Sequence, residues 1–239
     1  MTRFSFEKAL GDLEFSLIKM GTYVEESIDG AISALVDQDE ELARKIIADD
    51  DIIDDLESNI EKMCVTLIAR QQPIARDLRA ITAVLKIITD LERIADHSAD
   101  ISELTINIGK ADFITPLINI PKMAMMAKKM TDMAITAYIK KDYSLAKEVC
   151  ASDDYVDELF TNVKFKLAEY MKSNPESIDQ IIDLIMIAKY IERMADHATN
   201  IGEWVAYSIT GNHEHLAHLY HKDSLEGNPF ENNPAKDIL

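Results

Sequence analysis

The segment Leu91-Glu92-Arg93-Ile94-Ala95-Asp96-His97 returns one hundred residues later as Ile191-Glu192-Arg193-Met194-Ala195-Asp196-His197. Five of the seven positions are identical, and the other two exchange one large apolar side chain for another. Packing alone rarely requires a Glu, an Arg, an Asp and a His to keep their places twice. The chain therefore reads as an internal duplication, copied most faithfully at an acidic helical motif with a histidine beside it. Two equivalent sites of binding or chemistry are the expectation.

The repeat reaches beyond this motif. At an offset of 103, Asp39 faces Asp142, Leu42-Ala43 faces Leu145-Ala146, and Asp50-Asp51-Ile52-Ile53-Asp54 faces Asp153-Asp154-Tyr155-Val156-Asp157. Three residues are then dropped, and the extra length of the first half falls around Gln71-Gln72-Pro73-Ile74-Ala75-Arg76-Asp77. Two copies do not make a solenoid. Two similar bundles packed together is the simpler arrangement.

The fold class follows from composition and periodicity. Apolar residues are 47% of the 239, with only seven Gly and six Pro. Ala, Leu, Ile, Met, Glu and Lys dominate, and all are tolerated or favoured in helices. The spacing predicts an all-α chain of six helices over about 6–36, 40–70, 74–108, 115–141, 142–172 and 175–211. Asp39 and Asp142 are expected N-caps, Thr115-Pro116 is expected to open the fourth helix, and Gly109 and Gly211 close the third and sixth. Three antiparallel helices per half make two tandem three-helix bundles, 1–110 and 111–211. Residues 212–239 leave the pattern and read as a flexible tail containing His213, His215, His218 and His221.

A net charge of −18 repels a phosphate backbone and anionic lipid, which argues against nucleic-acid binding. No apolar run approaches the ~20 residues a membrane span requires. Met1-Thr2-Arg3-Phe4 lacks the apolar core of a signal peptide. Cys64 and Cys150 lie in helical patterns without CxxC spacing and read as reduced core residues. A cytoplasmic protein is expected.

A helix advances about 100° per residue, so positions four apart stay on one stripe. Glu92, Asp96 and Asp100 form such a stripe beside the inward face of Ile81, Leu85, Ile88, Leu91 and Ala95. Asp50 and Asp54 flank the inward face of the second helix. Asp153 and Asp157 take those places on the fifth helix, and Glu192 and Asp196 on the sixth, with Asn200 at the third rung. Side-by-side packing would gather four carboxylates in each half. Such groups repel one another unless protons or cations compensate. Oxygen-only ligands suit Mg²⁺, Mn²⁺, Ca²⁺ or iron and can bridge two metals. The competing reading is a solvated acidic face with favourable charge at helix starts; it fits any single residue, but faithful duplication of both pairs favours metal.

His97 and His197 stand about 100° from the neighbouring Asp on the wheel, a position that suits a surface or inter-helix hydrogen bond better than ligation. The order Asp-His, and the absence of Glu-x-x-His, count against a phosphohydrolase or a di-iron oxidase. Arg76-Asp77-Leu78-Arg79 reads as a salt-bridging segment. Met123, Met125, Met126, Met130 and Met133 read as core, with an adaptable partner face as the alternative.

Tandem three-helix bundles, each with a Leu/Ile-Glu-Arg-x-Ala-Asp-His helix and an earlier Asp-x-x-x-Asp, resemble the PhoU family over about residues 1–211. Arg76-Asp77-Leu78-Arg79 also matches that family's first repeat. The resemblance implies multinuclear metal clusters, of iron in some members and zinc or other cations in others. They would be held by Glu92 with Asp96, Glu192 with Asp196, Asp50 with Asp54 and Asp153 with Asp157. It implies a cytoplasmic homodimer that is not an enzyme and that restrains phosphate uptake and the phosphate-starvation response. Its implied partners are the ATPase subunit of the phosphate ABC transporter and a membrane sensor histidine kinase. A metal-free helical adaptor and a metal-dependent phosphohydrolase are the alternatives.

Overall fold

Residues 3–109, 113, 117–212 and 216 are described by a computed structural model. They form six long α-helices: α1 (Arg3–Asp37), α2 (Glu40–Gln71), α3 (Ala75–Ile108), α4 (Ile120–Lys140), α5 (Tyr143–Ser173) and α6 (Ile178–Thr210). A single 3-10 turn over Pro175–Ser177 leads into α6. Among the described residues no helix is long and apolar enough to cross a membrane.

The duplication is visible in the turns. Gln38 and Lys141 both adopt left-handed backbone, at φ 52° and 54°. The next residue, Asp39 or Asp142, then caps the following helix. Asp39 Oδ1 accepts from the amides of Glu41 and Leu42, and Asp142 Oδ1 accepts from that of Leu145. Caps of this kind contribute roughly 1 kcal/mol each. Gly109 and Gly211 end α3 and α6 at positive φ, as the periodicity predicts. The start of the fourth helix differs. Thr115 and Pro116 lie outside the described residues, and α4 begins at Ile120 with Pro121 in its first turn. Pro121 fits there because the first turn leaves its amides without helical partners.

The inward faces pack as the wheel predicts. Ile81, Ile88, Leu91 and Ala95 on α3 are buried, as are Ile53, Ile60 and Leu67 on α2. One continuous apolar core runs through all six helices. Each fully buried Leu or Ile contributes about 1.5–3 kcal/mol. Of the five methionines on α4, Met123, Met126 and Met130 are buried, Met133 packs at the core margin and Met125 is exposed. Helices α1 and α4 also meet across the halves: Ile135 fills the space that a Cβ at Gly21 would need, and Lys128 pairs with Asp29. Beyond α6, Leu216 is buried against Cys150 and Ala206, while His213, His215, His218 and His221 lie outside the described residues.

Contacts between α3 and α6 reveal an internal two-fold. His197 on α6 bonds Asp90 on α3, while His97 on α3 stacks on Tyr190 of α6. These are the same two repeat positions with the halves exchanged, which is the pattern of an isologous contact. The two helices are therefore antiparallel, and they cross where His97 and His197 meet.

Close approach of α5 and α6 depends on Gly202. A Cβ there would stand 3.0 Å from the carbonyl oxygen of Ala146 and 3.1 Å from Cys150 Sγ. Gly202→Val is expected to destabilise the protein by roughly 1–3 kcal/mol through overpacking. Thermal unfolding followed by circular dichroism checks this; an unchanged midpoint would mean that the two helices separate at no cost.

Candidate metal centre

The carboxylates of the first half converge where α2 runs beside α3. One oxygen each from Asp54, Glu92 and Asp96 lies within 4.8 Å of the other two, and among the described residues only this trio converges so closely. Glu92 and Asp96 are one turn apart on α3, and Asp54 faces them because Ile53 of the same helix is anchored in the core. Asp50 and Asp100 line the adjoining cleft with Asp96.

The electrostatics are those of crowded acids. Partial burial, and then the Asp96 charge, push the Glu92 carboxyl up to about 7. Burial followed by Asp96 and Asp54 pushes Asp50 up to about 6. Asp54 is raised for the same two reasons, burial first and Asp96 second. Arg93 offsets some of this charge: its Nη1 donates to Asp96 Oδ2 at 2.7 Å. Its Nε lies 3.2 Å from Glu92 Oε2, yet it is not aligned to donate, and that buried oxygen has no hydrogen-bond partner.

In the second half, Asp153, Asp157, Glu192 and Asp196 are neighbours. Burial and then Asp196, Asp157, Asp154 and Glu192 raise Asp153 to about 7. Burial and then Glu192 raise Asp196 to about 6, although its side chain keeps a face open to solvent. Asp153 Oδ1 is buried without a hydrogen-bond partner. Glu192 is 9% exposed and pairs with Lys189. The neutralising cation thus differs between halves, arginine in one and lysine in the other.

Both clusters present oxygens only, carry an unsatisfied buried oxygen and hold more negative charge than one basic neighbour cancels, but among the described residues only the first brings three carboxylates within common reach of one cation. Asp50, Asp54, Glu92 and Asp96 would hold it in the first half, and Asp153, Asp157, Glu192 and Asp196 in the second. A hard or borderline cation would supply charge neutralisation and open coordination positions.

The histidines stand apart from the ligand set. His97 Nδ1 is 3.2 Å from Asp100 Oδ2, and burial holds the ring below its ordinary pKa. His197 Nδ1 is 2.8 Å from Asp90 Oδ1, which also accepts from Asn200. At the third rung Asn200 thus bonds across to α3, whereas Asp100 bonds His97 on its own helix.

Sequence reasoning passed over Asp90, Lys189 and Glu203. Glu203 is buried on α6 at 9% exposure, two turns beyond Asp196, so the stripe's own periodicity could have found it. Nothing in the local sequence pairs Asp90 with His197, because the pairing needs the antiparallel crossing. At the start of α3, Arg79 Nε is buried without a hydrogen-bond partner, and its guanidinium lies against Gly211; no ion pair of that side chain occurs among the described residues.

Comparison with known proteins agrees with this architecture. The PhoU domain model matches residues 17–105 and 120–205, one match per half. A phosphate-specific transport system accessory protein PhoU homolog of Clostridium acetobutylicum is 38% identical over 212 residues, covering 88% of this chain and 97% of that protein. A homolog of the same description from Aquifex aeolicus is 38% identical over 186 residues, covering 78% of this chain and 84% of that one. The crystal structure of PhoU from Pseudomonas aeruginosa superposes with a TM-score of 0.83 at 33% identity, covering 87% of this chain and all of that one.

Proposed function

The chain belongs to the PhoU family, and from this we propose that it is a metal-binding regulatory adaptor of phosphate transport. It restrains high-affinity phosphate uptake and the phosphate-starvation response by contacting the ATPase subunit of the phosphate ABC transporter. A membrane sensor histidine kinase is its second partner where one is present. It works in the cytoplasm as a homodimer and carries out no turnover of its own.

The convergence of Asp54, Glu92 and Asp96 carries the metal reading. Three carboxylates brought together at the edge of a core, with one buried oxygen left unsatisfied, are better accounted for by a cation than by a solvated face. The duplicated carboxylates of the second half extend this to two clusters, of iron or zinc, with manganese or magnesium also suited to oxygen donors. An adaptor is the better reading beside an enzyme. Burial pushes the thiols of Cys64 and Cys150 up to about 12, which makes them poor nucleophiles. The accessory and regulatory names of the relatives point the same way.

Arg93 and Lys189 already pair with the clusters, and this favours a metal-free structural adaptor as the second reading. Elemental analysis of untagged protein, purified without chelator, separates the two. Several equivalents of one transition metal per chain are expected, together with co-purification of the transporter ATPase subunit. Metal well below one equivalent would leave the carboxylates as a contact surface, and failure to retain the ATPase would remove the partner assignment.

A further inference from the structure

The cleft beside Asp50 and Asp96 draws on three helices and on both halves of the repeat, and it encloses about 520 Å³. That is far more than the ~30 Å³ a water molecule occupies in the liquid. Arg93 and His97 enter it from α3, and Arg193 and His197 from α6. Two arginines from equivalent positions of the duplication thus line one cleft together with carboxylates of the first half, because the internal two-fold brings α6 across α3 at this point. The two are engaged differently. Arg93 is committed to Asp96 and lies against Glu92. Arg193 is exposed and close enough to His97 and Tyr190 to act on both electrostatically. Among the described residues it makes no ion pair or hydrogen bond.

We infer that this cleft binds a tetrahedral oxyanion of the inorganic phosphate class, held between the Arg193 guanidinium and a cation on Asp54, Glu92 and Asp96. The inference rests on the metal reading above. A planar guanidinium matches two oxygens of such an ion at once. Three carboxylates leave coordination positions open on a six-coordinate cation such as Mg²⁺, and Asp96, which belongs both to the trio and to the cleft lining, brings that cation to the edge of the cleft that Arg193 lines.

Charge makes the two ligands interdependent. Asp50, Asp96, Asp100 and Glu103 also line the cleft, so the bare site repels an anion. Cations on the trio reverse that field and admit it. By linkage, phosphate must in turn tighten metal binding by the same factor. A group contributed by the second half would then report the occupancy of the first, along the contact that joins the two bundles.

Equilibrium dialysis of the full chain with inorganic phosphate tests this, in metal-loaded and metal-stripped protein, with sulfate as a second dianion. The loaded wild type is expected to take up about one phosphate at this cleft. Stripping the metal should weaken it by at least about tenfold, the weight of one charge-assisted hydrogen bond. Arg193→Gln should weaken phosphate by a similar factor while its metal content and helicity match the wild type. Equal binding by Arg193→Gln, or binding indifferent to metal, overturns the inference. Retained metal without phosphate uptake overturns it alone, whereas a chain that retains no metal removes the metal reading and this inference with it.

Discussion

Protein carrying Glu92→Gln together with Glu192→Gln is expected to lose its bound metal and keep its helices. Glu92 is the member of the first trio whose oxygen is buried and unsatisfied, and Glu192 is the most buried acid of the second cluster at 9% exposure. Glutamine keeps shape and volume but removes the negative charge and half of the oxygen donors. Loss of an outer hydrogen-bond partner of a metal ligand already costs about 10–100-fold in affinity, and loss of a ligand should cost more. Folding should not suffer. Burial and the Asp96 charge raise Glu92 to about 7 in the metal-free state, so a neutral amide there relieves the crowding of like charges. Elemental analysis beside far-ultraviolet circular dichroism checks both halves of this expectation. Full metal content in the double variant would remove these glutamates from the ligand set, and loss of helicity would assign them to structure.

Metal-free protein should become less stable between pH 5 and pH 8. Glu92 and Asp153 sit at about 7, and Asp50 and Asp196 at about 6, against ordinary values of 4.5 for Glu and 3.8 for Asp. In the window from about pH 4 to 7 the folded chain therefore holds protons that the unfolded chain has released. Stability then falls with rising pH. The contribution of these groups is complete below their unfolded values and is lost as pH passes through 6 to 7. Ionic strength is held constant in the experiment, because the overall charge of −18 adds self-repulsion in the same direction. The metal-free unfolding midpoint should drop by several degrees across this range. Added Mn²⁺ should restore it at pH 8 and do little at pH 5, where protons compete for the same oxygens. A midpoint that is flat or rises from pH 5 to 8 in metal-free protein would mean that the four acids are too well solvated to share protons.

The fold was legible because its signals are local and doubled. Apolar spacing along α2 and α3, an Asp N-cap at each of two matching turns and a Gly after α3 and α6 each follow from backbone hydrogen-bond geometry within a few residues. The copy at an offset of one hundred turned one acidic stripe into a constellation, and the four-residue spacing put Glu92 and Asp96 on one face before any neighbour was known. What the stripe faces was not legible. Whether Asp54 meets that pair, and whether Asp100 joins it or turns to His97, depends on the packing of α2 on α3. The pairing of Asp90 with His197, and the entry of Arg193 into the cleft of the other half, depend on the antiparallel crossing of α3 and α6. Spacing along a helix sets the direction of a side chain relative to its own axis, and that information is complete in the sequence. Distance between axes is set by the fit of many apolar side chains at once, with Gly202 admitting α5 where Ser102 stands in the first half, and only the assembled core decides it.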